Sequence, residues 1–203
     1  MARSLSIDCD PTTSTTLDVK SLRLTDDQFL RLCADNRDFR FELTAEGELI
    51  IMPLPGSKTG WREGKVFQRL ANWTERDATG ICFGPDTGFK LPNGATRGPD
   101  AAWMPLDAWK RFTAEQQEKL VAVCPYFVVE VRSPSDALAQ LQEKMQEYKE
   151  NGARLGWLLD PFEKRVYLYR PGRDAECVEN PGNLSGEDVL PGFQFNFQEI
   201  LEV

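Results

Sequence analysis

The sequence predicts an α/β fold, and three features carry that prediction. Tyr126 to Val131 and the pair RLGWLLDP and RVYLYR have the β-branched and aromatic make-up of buried strands. GWREGKVFQRLANWTER and ALAQLQEKMQEYKENG carry apolar residues at helical spacing instead. Gly- and Pro-rich punctuation separates the two kinds of segment. A chain of 203 residues with 41% hydrophobic content suits one large domain.

Taken in order, residues 1–18 are rich in Ser, Thr, Asp and Pro without apolar periodicity and are expected to form a flexible leader. Thr25-Asp26-Asp27-Gln28 has capping-box form and opens a short helix with Phe29, Leu30 and Cys33 on one face. FRFEL and ELIIMPL flank a turn containing Gly47, which predicts a β-hairpin. In the helix that follows Pro55-Gly56, Val66, Phe67, Leu70 and Trp73 form the apolar stripe. Glu63 falls on the same face, as an inward-pointing acid or a first-turn acid favoured by the helix dipole.

The stretch from Ile81 to Met104 alternates extended runs with turns, predicting two or three strands, and Pro85-Asp86 reads as a turn. Pro99 cannot donate to a sheet ladder, so Asp100 belongs to the first residues of a strand, sharing a face with Ala102. Residues 106–123 hold an amphipathic segment with a second capping box at Thr113 and a buried end at Leu120, Val121 and Val123. Ser133-Pro134-Ser135-Asp136 ends the Glu130 strand and offers N-cap candidates for the next helix, whose stripe is Leu138, Leu141, Met145 and Tyr148. Lys144 lies on the shoulder of that stripe.

Composition narrows the chemistry. The chain has no histidine, and its five cysteines are scattered with no CxxC pair, so zinc sites, disulfides and histidine-based nucleophile triads are not expected. No run approaches the ~20 apolar residues of a membrane span, and the N-terminal stretch lacks a signal-peptide core, so a soluble, cytoplasmic protein is expected. A net charge of −8 opposes broad adhesion to nucleic acid but leaves room for a local basic groove.

Against that background Glu130 stands out. An ionised glutamate inside a doubly buried strand costs several kcal/mol unless paired or bound to a metal. It either reaches water or pairs with Arg132, its same-face neighbour, or it belongs to a site. Asp100, on a separate strand, and Lys144 are the candidate partners, although a lone lysine there could equally snorkel or pair with Glu147 or Gln140. Two carboxylates on neighbouring strands can share a hard divalent cation such as Mg²⁺, with a lysine orienting the nucleophile or offsetting charge.

The segments GPDAAW, PYFVVEVRSPSD, LQEKMQEY and NGARLGWLLDP, with FELTAEGELIIMPLPGSKTGWREGKV upstream, resemble the Uma-type family of bacterial restriction endonucleases (domain of unknown function 820). That family is assigned to the PD-(D/E)xK nuclease superfamily, and the resemblance covers roughly residues 22–201. It implies a restriction-endonuclease-like core, a mixed central β-sheet flanked by helices, over a single domain of residues 19–203 with the N-terminal hairpin as an extension. It further implies metal-dependent hydrolysis of DNA, with Mg²⁺ or Mn²⁺ held by Asp100 and Glu130. Glu63 resembles the additional first-helix acid of many members. Two residues after Glu130 the motif expects lysine and this chain has Arg132, a poor copy of a lysine point charge. In the family the lysine stands on the following helix, which matches Lys144.

Two other classes of function compete with an endonuclease. A nuclease-like fold that no longer cuts would bind nucleic acid or a protein partner, a reading the acidic charge and Arg132 favour. A homodimeric structural module would need an apolar surface, with Trp103, Phe193 and Phe195 as the candidates. A homodimer is also compatible with a nuclease, since two sites facing one duplex can cut both strands.

Overall fold

The structure, a computed structural model, describes residues 14–202. Residues 1–13 of the expected leader lie outside the described residues. Residues 15–18 do not belong to a flexible leader: they form β1 (Thr15–Asp18), paired antiparallel from Thr15↔Ile51 to Asp18↔Glu48. Thr15 and Leu17 are half-buried while Thr16 and Asp18 are exposed, the period-two pattern of an edge strand. Four residues with one apolar side chain are too few to raise that pattern above their polar composition.

A single turn of 3₁₀ helix, Lys20–Leu22, leads to α1 (Asp26–Asp35), where the Thr25 hydroxyl accepts from the Gln28 N–H and the Gln28 side chain accepts in return. The expected hairpin follows as β2 (Phe39–Leu43) and β3 (Glu48–Pro53), with Gly47 at φ 84° in the turn. Next comes α2 (Ser57–Asp77), which buries Glu63, Val66, Leu70 and Trp73 along one stripe.

The stretch expected to give two or three strands gives four: β4 (Gly80–Phe83), β5 (Phe89–Lys90), β6 (Thr96–Arg97) and β7 (Ala101–Pro105). The turns through Gly84–Thr87 and Leu91–Gly94 cut the extended runs into pieces of two to five residues, below the length at which alternation is visible. The segment 106–123 is likewise two four-residue helices, α3 (Leu106–Trp109) and α4 (Ala114–Gln117), and then β8 (Val121–Ala122). The Thr113 capping box is present. The chain continues as β9 (Phe127–Val131), α5 (Leu138–Glu150), β10 (Leu155–Asp160), β11 (Arg165–Tyr169), β12 (Glu176–Glu179), β13 (Asn183–Ser185) and β14 (Gln194–Asn196). Helix α5 is capped by neither serine: Ala137 holds the N-cap position, and Asp136 instead accepts from the Ser133 N–H, closing the loop on itself.

Two six-stranded sheets result. The central sheet has the order β12-β11-β10-β9-β7-β4 and is mixed, because β9 and β10 run parallel across the α5 crossover while the other pairs are antiparallel. The hairpin belongs to the second sheet, β1-β3-β2-β6-β5-β8, whose Phe89 and Val121 pack in one core with Ala102 and Val128 of the central sheet. Along β9, Phe127, Val129 and Val131 point to the core beneath α2, with Trp157, Phe193 and Phe195. Val128 points the other way, to the core beneath α5 with Met145, Tyr148 and Leu158. Alternation therefore sends Glu130 to the α5 side.

Trp103, Phe193 and Phe195 form no apolar surface. They are 4%, 2% and 1% exposed. Phe193 stacks on Trp157 at 5.8 Å, which absorbs the C-terminal aromatics into the core.

Candidate active site

Glu130 is buried near the C-terminal end of β9, and β10 and β7 lie on either side of that strand. The pairing with Arg132 does not occur. The Arg132 guanidinium turns to Asp160 at 2.8 Å, the fully buried acid that ends the neighbouring strand. Glu130 finds its partners on α5 instead: the Lys144 ammonium lies 2.8 Å from Oε1, and the Tyr148 hydroxyl donates to the same oxygen at 3.2 Å. Lys144 and Tyr148 are four residues apart and so share a face, which is why one helix delivers both. Glu147 is not the partner of Lys144, because it is taken by Arg97 at 2.5 Å.

Asp100 sits immediately before β7, at the position opposite Glu130. Its N–H donates to the Val129 carbonyl at 3.0 Å, and its Oδ2 accepts from the Val131 N–H at 2.7 Å. The aspartate thus brackets Glu130, bonding the backbone of the residues on either side of it. Glu63, on the first turns of α2, is buried and held at 3.2 Å by Arg40 of β2, whose guanidinium also approaches Asp100 at 3.8 Å. Arg40 reaches the exposed Asp86 of the neighbouring turn as well, at 3.8 Å.

The residue that sequence reasoning missed is Glu42. It is 3% exposed, and its Oε1 lies 2.7 Å from Lys144 Nζ while its Oε2 lies 3.1 Å from Arg97. In FRFEL, Glu42 looks like the polar face of a hairpin strand. Its signal lies in the company it keeps, because β2 is an interior strand of the second sheet between β3 and β6. Arg40 and Arg97 escaped notice for the same reason.

Burial raises the carboxyls of Asp100, Glu130 and Glu42, like charge raises the first two further, and neighbouring cations pull all three back. The Asp100 carboxyl is pushed well above the ordinary range, by burial first and then by the charges of Glu130 and Glu63. The Glu130 carboxyl is raised to about 7, again by burial first, although Lys144 pulls it down. For Glu42 burial is also the largest influence, yet Lys144, Arg97 and the Gly98 N–H together hold its carboxyl below the ordinary range. Lys144 is kept protonated by the two carboxylates it touches.

With the exposed Asp86 set aside, five acids, Glu42, Glu63, Asp100, Glu130 and Glu147, share three cations, Arg40, Arg97 and Lys144, and the shortfall falls on Asp100 and Glu130. Hard carboxylate oxygens in surplus negative charge are the donors a divalent cation such as Mg²⁺ requires. Among the described residues no three acidic or sulfur-bearing side chains converge into a metal cage. Asp100 and Glu130, hard oxygen donors left short of counter-charge on adjoining strands, are the residues that could hold such a cation, with Glu63 linked to Asp100 through Arg40.

A family profile described as Uma2, putative restriction endonuclease, matches residues 26–198. The chain belongs to the Uma2 family. Among solved structures, the protein is similar to a putative nuclease of the DUF820 group from Anabaena variabilis, with 19% identity and a TM-score of 0.72 over 88% of this chain and 97% of that one. At that identity the likeness speaks for the fold, and it places this Uma2 protein in a nuclease-like α/β architecture. A comparison with curated proteins finds no match. Among the described residues no helix is long and apolar enough to cross a membrane.

Proposed function

We propose that this Uma2 protein is a Mg²⁺- or Mn²⁺-dependent endonuclease that hydrolyses DNA phosphodiester bonds. The observation that supports the reading best is the contact of Lys144 with Glu130 at 2.8 Å, beside an Asp100 that brackets the same strand. It supplies from α5 the lysine that Arg132 fails to provide.

Asp100 and Glu130 would hold the cation, with Glu63 as a further acid. A cation held there would supply Lewis-acid stabilisation of the charge that develops on the phosphate, together with a more acidic water. Asp100 is kept in place by the Val131 N–H, so its carboxylate is aimed by the sheet itself. Lys144, positively charged and held by two carboxylates, orients Glu130 and the attacking water and offsets negative charge at the phosphate. Arg40, a quarter exposed beside Asp100, adds a positive charge at the rim. Double-stranded DNA is the substrate of this reading, and a cytoplasmic homodimer, with two sites on one duplex, is its assembly.

Plasmid nicking in Mg²⁺ or Mn²⁺ tests it. Wild type should convert supercoiled to open-circular DNA, and Asp100→Asn should lose that activity while keeping the fold. An Asp100→Asn protein that nicks at the wild-type rate would refute the assignment. Arg132 in place of the motif's lysine favours a second reading, a nuclease-like module that binds nucleic acid or a protein partner without cutting. DNA retention with no nicking under any divalent ion would select it.

A further inference from the structure

Lys144 needs more than Glu130 to stand where it does, and the rest of its support comes from a different sheet. Its ammonium has three N–H donors, and three acceptors surround it: Glu130 Oε1 at 2.8 Å, Glu42 Oε1 at 2.7 Å and the Gly98 carbonyl at 3.3 Å. The same Glu42 oxygen accepts from the Gly98 N–H at 2.9 Å, two residues before Asp100. Its other oxygen is anchored by Arg97, which Glu147 of α5 grips in turn. Glu42 therefore touches both arms of the site, the lysine on α5 and the turn that delivers Asp100. A carboxylate this deeply buried is costly on an interior strand, where an apolar residue would pack at no such cost.

From this geometry we propose that Glu42 is a positioning residue for the nuclease chemistry: it holds the Lys144 ammonium against Glu130 and fixes the Gly98–Asp100 turn relative to it. The second sheet is then part of the catalytic apparatus, because β2 carries the residue that sets the spacing between lysine and acid. This inference rests on the nuclease reading. Glu42 does not touch the reacting atoms and acts through Lys144.

The test is Glu42→Gln, which preserves shape and an acceptor while removing the charge, with Glu42→Asp, which preserves the charge but withdraws it by one methylene. In nicking assays both variants should lose about 10–100-fold in kcat with KM for plasmid changed by less than about threefold, the pattern of misplacement rather than lost binding. In a Lys144→Met background, adding Glu42→Gln should cost almost nothing further, because the group it positions is gone. Variants that cut at the wild-type rate, or losses that multiply in the double variant, would overturn the proposal.

A second readout does not depend on cleavage. In ¹⁵N-lysine-labelled protein, the Lys144 ammonium, held by three acceptors and removed from bulk water, should give a slowly exchanging NMR signal. Lys144→Met assigns that signal by its disappearance. Its loss in folded Glu42→Gln supports the proposal, and an unchanged signal overturns it. If wild type fails to nick DNA, the nuclease reading falls alone, and this signal still decides whether Glu42 positions Lys144.

Discussion

Replacing Lys144 with methionine removes the cation paired with Glu130 at 2.8 Å and leaves its two acids unequally supplied. Glu42 keeps Arg97 at 3.1 Å and the Gly98 N–H at 2.9 Å, whereas Glu130 keeps, among the described residues, the Tyr148 hydroxyl alone at 3.2 Å. Removing one member of a buried ion pair costs about 3–5 kcal/mol, and a chain of this size loses about 2–4 °C in Tm per kcal/mol. Thermal denaturation in chelator at pH 8 should therefore show Tm lowered by about 6–20 °C.

The pH dependence follows from the direction of the Glu130 shift. Its carboxyl is raised from the ordinary 4.5 to about 7 in the fold, so ionisation there works against folding, and stability falls as pH rises through that window. Lys144 is the main influence holding the value down, so its removal extends the window above pH 7. The Tm gap between wild type and Lys144→Met should widen from pH 5 to pH 8. A gap under about 2 °C, or one equal at both pH values, would mean that Lys144 is not the counter-ion of Glu130.

Other perturbations test other parts of the structure. A Cβ on Gly80 would overlap the indole of Trp103, which is itself packed edge-on against Trp73, so Gly80→Ala should cost about 1–3 kcal/mol by overpacking and lower Tm by about 2–12 °C. An unchanged Tm would contradict that packing. Burial pushes the Cys124 thiol up to about 12, while Cys177 is exposed on β12. Iodoacetamide at pH 8 should therefore modify Cys177 and spare Cys124 until the protein unfolds, as peptide mapping by mass spectrometry would show. Thr25→Ala removes the hydroxyl that caps α1 and should cost about 1 kcal/mol in denaturant titration, with no effect expected from Thr16→Ala on the exposed face of β1.

The α/β class, both long helices, the hairpin and the inward face of Glu63 are legible in the sequence because each rests on a periodicity sustained over several residues. What is not legible is short or non-local. Strand β1 is four residues long and takes its place from pairing with Ile51 and its neighbours. The short strands β5 and β6 are fixed by turns rather than by alternation. In the candidate site, Glu130 is visible because an acid interrupts an apolar run, and Lys144 because its helix stripe places it near the core. Glu42 is invisible, since an acid in a hairpin strand ordinarily faces water. Its burial depends on residues far along the chain, Thr96 and Arg97 of β6 at 54 and 55 positions and Lys144 of α5.

On the proposed reading, Asp100 and Glu130 together bind a divalent cation in the service of strand cleavage. Isothermal titration of Mn²⁺ into wild type and into Glu130→Gln tests it most directly, since glutamine keeps the shape and removes the charge. Binding in wild type should be saturable and should be lost, or weakened at least about tenfold, in the variant. Equal Mn²⁺ affinity in the two proteins, or no binding in wild type, would contradict it and leave Glu130 as a buried structural acid.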